Sequence, residues 1–463
     1  MKLLRKTNRM PLLAWLGLVA LLLLIYGDGI GRGFVKDDVV WVGANHVASW
    51  ADARDLAFRT DGFYRPVVSA SFAFDRAVHG LHPFGFGVTN LGLLVLGTMA
   101  LGYLAFSLGM NATPSLVAAA VWALNFHGVN MALLWLSGRT ALWLALWCLL
   151  AAAALVRRKP LLAGLAASLA MFSKEEAVLL PLILAAWAWV LHGDGQKALT
   201  RVATVARLTW PSWAGIGLYL SMRAQTGAMT PLNSPSYYRF ASNPLTVLEN
   251  ALEYVDRACT FSALVLLVAC LISARRPHLT PAARRVAILG VIWLCGTYSL
   301  TVLLPVRSSL YALTPSIAPA LMTGYLLQDL WARSTFRGRR RLVIAAGLLP
   351  VLLLPVYWTR NGRWTEIADL SAETFVVARQ VSQERPTLSG LVFQDDPRTR
   401  RSFANAYGSL LPEAVQLATG RNIPVRLEVQ AIKDGDRASS QSTEGNTVRI
   451  VLSGGRVSTV EEP

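Results

Sequence analysis

Apolar runs of bilayer length recur along this chain and leave few choices of fold. Lipid offers no hydrogen-bond partner to an exposed backbone, so a segment that crosses it closes its own bonds as a helix of about 20 apolar residues. About eleven runs reach or approach that length: residues 11–26, 88–109, 114–127, 138–156, 160–172, 176–192, 207–222, 259–274, 286–304, 309–331 and 341–358. Several are short for a full span. Only 15% of the 463 residues are charged and 54% are hydrophobic, whereas soluble domains carry roughly a quarter charged residues. The pattern predicts an all-α polytopic membrane bundle of about eleven transmembrane helices.

The net charge of +17 raises nucleic acid as a partner, and the placement of the charge argues against it. Lys2, Arg5, Lys6 and Arg9 precede the first run, and Arg157, Arg158 and Lys159 follow the fourth. Lys197, Arg201 and Arg207 follow the sixth, Arg275, Arg276, Arg284 and Arg285 the eighth, and Arg333, Arg337, Arg339, Arg340 and Arg341 the tenth. Basic clusters in alternate loops are the positive-inside pattern, whose natural partner is anionic membrane lipid. A nucleic-acid face would gather its charge in one patch. The pattern puts the N-terminus in the cytoplasm of a cell whose inner (plasma) membrane holds the chain, and an odd number of spans puts the tail outside. The first run, basic residues followed by an apolar stretch without a clean cleavage site, reads as a retained signal anchor. Cys148, Cys259, Cys270 and Cys295 all lie in or beside apolar runs, which implies neither a disulfide framework nor a zinc site.

The organisation is a transmembrane domain over 1–358, within which 27–87 form a first extracytoplasmic loop, and an extracytoplasmic α/β domain over 359–463. The loop carries helix-like stretches at Trp50 to Phe58 and Val67 to Val78, the second amphipathic as in interfacial helices. The tail reads as a helix from Trp364 to Gln383, a strand from Gly390 to Phe393, a helix from Thr399 to Thr419, and strands at Val425 to Ile432 and Thr447 to Leu452. Asp395 and Asp396, before Pro397, suit a helix cap or turn.

This topology collects charges on the external face. Asp37 and Asp38, then Tyr64 and Arg65, then the stretch Trp135 to Arg139, then Lys174, Glu175 and Glu176, then Arg307 and Tyr311 all fall outside. An ionised carboxylate is costly in hydrocarbon, so a pair held at the membrane surface beside a helical bundle suggests a working site. Arg and Lys at headgroup level neutralise a lipid phosphate, Arg in bidentate fashion and Lys as a point charge. A carboxylate beside them can act as general base on a hydroxyl, or hold a divalent cation such as Mg or Mn through oxygen ligands, for which Asp37 and Asp38 are the candidates. Structural roles suit the same residues: a helix cap for Asp37 and Asp38, an interfacial anchor for Arg65, an ion pair at helix ends for Arg139 with Lys174 and Glu175, and a turn for Arg307. His127 reads as a packed histidine. The 15 tryptophans are expected of interfacial belts.

The order Phe34-Val35-Lys36-Asp37-Asp38, Tyr64-Arg65-Pro66, Trp135-Leu136-Ser137-Gly138-Arg139 and Ser173-Lys174-Glu175 resembles the polytopic GT-C glycosyltransferases, in particular bacterial relatives of the O-mannosyltransferases that often carry tetratricopeptide repeats. Arg307, Leu310-Tyr311 and Pro315-Ser316-Ile317 resemble the later Arg-x-Leu-Tyr-x-Pro-Ser region of that family, and Arg360-Asn361 and Trp364 the stretch after its last span. The similarity covers roughly residues 30–370; the tail shows no 34-residue helical repeat. The chain departs from the pattern at Gly87, where the family commonly has histidine, at Asn125 to Gly128 and Met131, which stand for a His-Pro and an acidic residue, and at Ala141, which replaces another acidic residue. These departures leave the acceptor open.

The resemblance implies an inverting sugar transferase that uses a polyprenyl-phosphate-linked donor, with Asp37 or Asp38 at the catalytic centre and Asp38 slightly favoured of the two. Arg139, Lys174, Arg307 and Arg65 would bind the donor phosphate. Glu175 would orient Lys174 or contact the acceptor, with Tyr311 and Tyr64 beside it. The acceptor would be a hydroxyl on a glycan, a lipid or a protein. Two other classes fit the composition. A lipid or glycan transporter would carry polar or broken helices at the midplane, often in repeated halves. A non-catalytic envelope-assembly protein would keep the fold and tolerate Asp37→Asn and Asp38→Asn.

Overall fold

The computed structural model describes residues 12–58, 62–193, 195, 197–230, 234–395, 401–429, 447–453 and 456–460. The first four basic residues, the Asp396-Pro397 step and the polar turn before Thr447 lie outside them.

Each apolar run is helical. After α1 (Leu12–Tyr26) the first long loop folds into α2 (Asp38–Ala44), α3 (Trp50–Asp55) and α4 (Pro66–His79). The bundle continues with α5 (Pro83–Ser107), α6 (Ala112–Ala123), α7 (Gly128–Leu134), α8 (Arg139–Val156), α9 (Pro160–Ser173) and α10 (Leu180–His192). It closes with α11 (Ala198–Arg223), α12 (Pro244–Ser273), α13 (Pro281–Tyr298), α14 (Ile317–Arg333), α15 (Phe336–Leu352) and α16 (Leu354–Glu384). Among the described residues six helices are long and apolar enough to cross a bilayer, or seven if α6 and α7, bent by 68° at their break, form one span. That is fewer than the eleven runs suggest, because length and composition separate them. Helix α9 has 14 residues and, at 1.5 Å per residue, falls short of a hydrocarbon core of about 30 Å.

Small residues let these helices approach closely, as membrane bundles require in the absence of a hydrophobic force between helices. Helix α9 packs between α8 and α11, and a Cβ placed on Gly164 would come within 2.3 Å of Pro211 of α11. The opposite face of α9 presents Leu161, Leu162 and Leu165, all exposed, as a lipid-facing surface. Helix α4, the expected amphipathic segment, buries Val68, Phe72 and Asp75 and exposes Phe74 and Val78.

Helix α16 runs through the boundary expected at 358–359, so the tail begins as a continuation of the bundle. Its first turns are pinned to the membrane domain: the Tyr357 hydroxyl donates to Leu124 O at 2.5 Å and Asn361 Nδ2 to Ile25 O at 2.7 Å. Its later turns pack on the tail elements β1 (Gly390–Asp395), α17 (Phe403–Ala406), α18 (Leu411–Thr419), β2 (Val425–Val429), β3 (Thr447–Ser453) and β4 (Arg456–Val460). The sheet order is β2-β1-β3-β4, with β1 parallel to both neighbours and β3–β4 an antiparallel hairpin. The single helix expected over 399–419 is two, because Gly408 takes φ +59° between them; strand β4 was hidden by its polar alternation. Asp395 fulfils the capping role, accepting from the Phe403 and Ala404 backbone N–H groups at 2.6 and 2.9 Å. The first loop meets α16 closely: a Cβ on Gly33 would lie 2.1 Å from Ala368 O. This contact fixes the loop that carries the acidic pair.

Candidate functional site

The two aspartates separate into different surroundings. Lys36 adopts φ +52°, a left-handed conformation sparsely populated by residues with a Cβ, and this turn points successive side chains in different directions. Asp38 is fully buried. Its Oδ2 accepts from Val35 N at 3.0 Å, and its Oδ1 accepts from Ser137 N at 2.6 Å and from the Ser137 hydroxyl. Asp38 therefore ties the first loop to the turn before α8. Burial pushes its carboxyl up to about 7, against the hydrogen bonds from Ser137 and Val35. Asp37 is half-buried and occupies the N-cap position of α2 without a side-chain cap bond. Burial raises its carboxyl above the usual range, while the nearby Arg65 and Lys36 charges pull it down.

Arg65, at the start of α4, lies over the Phe63 ring at 4.0 Å and donates to Glu175 through Nε at 2.9 Å and a terminal nitrogen at 2.6 Å. This is the bidentate geometry that fixes a guanidinium in place. Burial works against the Arg65 charge, and Glu175 more than offsets it. Glu175 thus orients Arg65 and leaves Lys174 to Glu176, at 2.6 Å, a correction to the expected pairing. The Lys174 ammonium also lies 4.7 Å from the Tyr311 ring centroid.

Arg65, Glu175, Glu176 and Tyr311 line a cavity of about 310 Å³. Its apolar wall includes Leu220, Met229, Phe240, Leu300 and Leu304. Arg223, at the end of α11, and Tyr238 complete its polar rim. Sequence reading missed both. Their signal was positional: Arg223 is a cation at the end of α11 far from the basic cluster Lys197, Arg201 and Arg207 at its start.

Three expected site residues are placed elsewhere. Arg139 is fully buried and saturated, donating to Asp75 at 2.5 Å, Asn90 Oδ1 at 2.9 Å, Phe86 O at 2.9 Å and Ser71 at 3.1 Å. It holds α8 to α4 and α5 and has no donor left for a phosphate. Arg307 is held by Glu249 and Asn250, both at 2.7 Å, and Glu253 at 3.1 Å, outside the cavity lining. Tyr64 is buried against Phe172 and Tyr219. His127 lines a second cavity described below.

Asp38 has no oxygen free of a hydrogen-bond donor to offer a divalent cation, whereas Asp37 makes no side-chain cap bond. Among the described residues no group of three or more His, Cys, Asp or Glu could hold a metal. Hard cations take six or more oxygen ligands.

The bundle, the loop pinned to one of its faces and the α16 connection form a polytopic membrane fold like that of solved GT-C proteins. The structure is similar to that of ArnT from Cupriavidus metallidurans bound to undecaprenyl phosphate, with a TM-score of 0.51 and 13% identity over 89% of each chain. It is also similar to the arabinofuranosyltransferase AftD from Mycobacteria, with a TM-score of 0.49 and 15% identity over 91% of this chain and 32% of that one. The oligosaccharyltransferase of Archaeoglobus fulgidus, tethered with an acceptor peptide, gives a TM-score of 0.48 and 10% identity over 90% of this chain and 63% of that one. The chain spans less than two thirds of the length of these last two. No family model matches the sequence, and no curated protein matches it. At these identities the likeness is one of fold.

Proposed function

We propose that the protein transfers a sugar from a polyprenyl-phosphate-linked donor to a hydroxyl acceptor on the extracytoplasmic side of the inner membrane. The observation that carries this reading is the cavity whose apolar wall meets Arg65 and Arg223 beside the half-buried Asp37. An isoprenoid tail suits the apolar wall, and a phosphate suits the guanidiniums among its lining. The undecaprenyl phosphate bound to ArnT is a ligand of that chemistry. About eleven crossings, some by short helices, with the N-terminus in the cytoplasm, would set this cavity at the outer headgroup level.

In this reading Asp37 takes the proton of the acceptor hydroxyl as its oxygen attacks the anomeric carbon. The new glycosidic C–O bond forms as the bond to the donor phosphate oxygen breaks. Polyprenyl phosphate leaves with the electron pair, its charge held by Arg65 and Arg223, with Lys174 nearby. One displacement inverts the anomeric carbon. Asp38 positions the turn and Glu175 positions Arg65.

The test is release of polyprenyl phosphate by the purified protein in nanodiscs, offered a panel of polyprenyl-phosphate hexoses and pentoses with envelope extract as acceptor source. Release from one donor, lost on heat denaturation of the protein, is expected. A folded protein that releases nothing from any donor would move the reading to the transporter or the assembly protein.

A pH profile adds a second check. Only the carboxylate form of Asp37 serves as base, so kcat/KM rises with pH through a value above the ordinary carboxylate range. Arg65 holds that value down; Arg65→Gln shifts the rising limb to higher pH. A limb that stays put in the variant would remove Asp37 from the role.

A further inference from the structure

The second external cavity, of about 460 Å³, is unlike the first in its charge balance. Lys36, Arg360 and Arg363 line it with a single carboxylate, Glu366. Elsewhere on the external face Arg65, Arg139, Lys174 and Arg307 each hold a carboxylate within 3 Å. Among the described residues Lys36, Arg360 and Arg363 have no such ion pair. Arg360 is half-buried with no hydrogen-bond partner for its Nε, and its guanidinium lies over the Phe126 ring at 5.2 Å. Arg363, three residues on along α16, shares its face, and like charges at that spacing repel. The Lys36 ammonium lies 5.8 Å from the Trp364 ring, which itself stacks on Trp135 at 5.9 Å.

Three cations gathered around a cavity with one carboxylate leave a positive excess that is costly to hold together, and an anion bound among them reduces that cost. The strained Lys36 turn adds the link to chemistry. Lys36 lines this cavity, and the next residue, Asp37, is near enough to Arg65 of the first to feel its charge. A molecule seated among Lys36, Arg360 and Arg363 thus touches the residue next in the chain to the proposed base.

The geometry points to an acceptor that carries an anionic group, a sugar phosphate or a sugar acid, held in this cavity by Lys36, Arg360 and Arg363. The inference rests on the transferase reading for the word acceptor, while the anion site itself stands on the cations.

The experiment uses the full chain in phosphatidylcholine nanodiscs, which present no net anionic headgroup. Mannose 6-phosphate, galacturonate and the neutral parents mannose and galactose are titrated by calorimetry into wild type, an Arg360→Gln/Arg363→Gln double variant, and an Arg276→Gln control on the opposite membrane face. At least one charged sugar should bind about tenfold or more tighter than its neutral parent, the size of one charge-assisted hydrogen bond. The double variant should lose that preference with an unchanged melting temperature, and Arg276→Gln should keep it. Equal binding of charged and neutral sugars, or a preference that survives in the double variant, overturns the inference. Nanodiscs containing phosphatidylglycerol distinguish the source of the anion. If they abolish sugar binding by wild type, a lipid headgroup fills the cavity and the acceptor assignment falls. Donor cleavage is scored separately: an intact anion preference without polyprenyl phosphate release sinks the transferase reading alone, and release without the preference sinks this inference alone.

Discussion

Asp37→Asn abolishes most sugar transfer, by about 10²–10⁴-fold in kcat, the range in which a positioned general base contributes, and leaves the melting temperature near that of wild type. Asp37 makes no side-chain cap bond to α2, so its amide analogue keeps the shape and gives up only the proton-accepting charge. Asp38→Asn behaves differently. Both Asp38 oxygens accept bonds from donors, and an asparagine turns one of them into an amide N–H facing another N–H or O–H. Leaving one buried group unsatisfied costs about 1–3 kcal/mol. That variant should lose stability and activity together. Because the folded protein holds the Asp38 proton at about 7, above its unfolded value, this group's contribution to stability is full at low pH and lost as pH rises through 7. The measurements are polyprenyl phosphate release and thermal unfolding, at pH 5 and pH 8. An Asp37→Asn variant with wild-type turnover would end the assignment of Asp37 as base, and an Asp38→Asn variant that is stable but inactive would transfer the role to Asp38.

Sequence alone does not separate these two aspartates, and the reason is physical. Hydropathy and charge bias place whole segments on a membrane face, because the penalty for a charge in hydrocarbon acts on every residue alike. They carried the helical bundle, the first loop with α4, and the clustering of Arg65, Lys174, Glu175 and Tyr311. What they do not carry is side-chain direction at a turn. The left-handed Lys36 sends Asp38 inward to Ser137 and Asp37 toward Arg65, and no periodicity reports that. The pairing of Lys174 with Glu176, and of Arg65 with Glu175, likewise depends on how α4 approaches the short segment before α10. Arg223 and Tyr238 were passed over because they stand apart from the matched motifs, on a connection whose path is set by Met229 N donating to Gly62 O at 2.8 Å.

Arg139 shows the same limit from the other side. A cation at the start of a span, beside a Ser-Gly turn, reads as a phosphate ligand in sequence. In the structure it joins Asp75 in a fully buried pair, both side chains 0% exposed, with the Phe72 ring 4.3 Å from its guanidinium. Asp75 also accepts from Thr89 at 2.7 Å. Breaking a buried pair by removing one partner strands the other charge and costs about 3–5 kcal/mol, whereas replacing both with apolar residues can be nearly neutral. Arg139→Leu should therefore unfold the part of the bundle around α4, α5 and α8 at markedly lower temperature than wild type, and Asp75→Leu should do the same. The double variant Asp75→Leu/Arg139→Leu should regain much of the loss, since no unpaired charge remains. Thermal unfolding of the four proteins in one detergent forms the cycle, and the recovery is the coupling between the two residues. A phosphate-binding Arg139 makes the opposite forecast: single and double variants equally stable, with only the donor KM raised. The two roles thus differ in which observable moves, and a recovery in stability without a recovery in donor affinity would assign Arg139 to both.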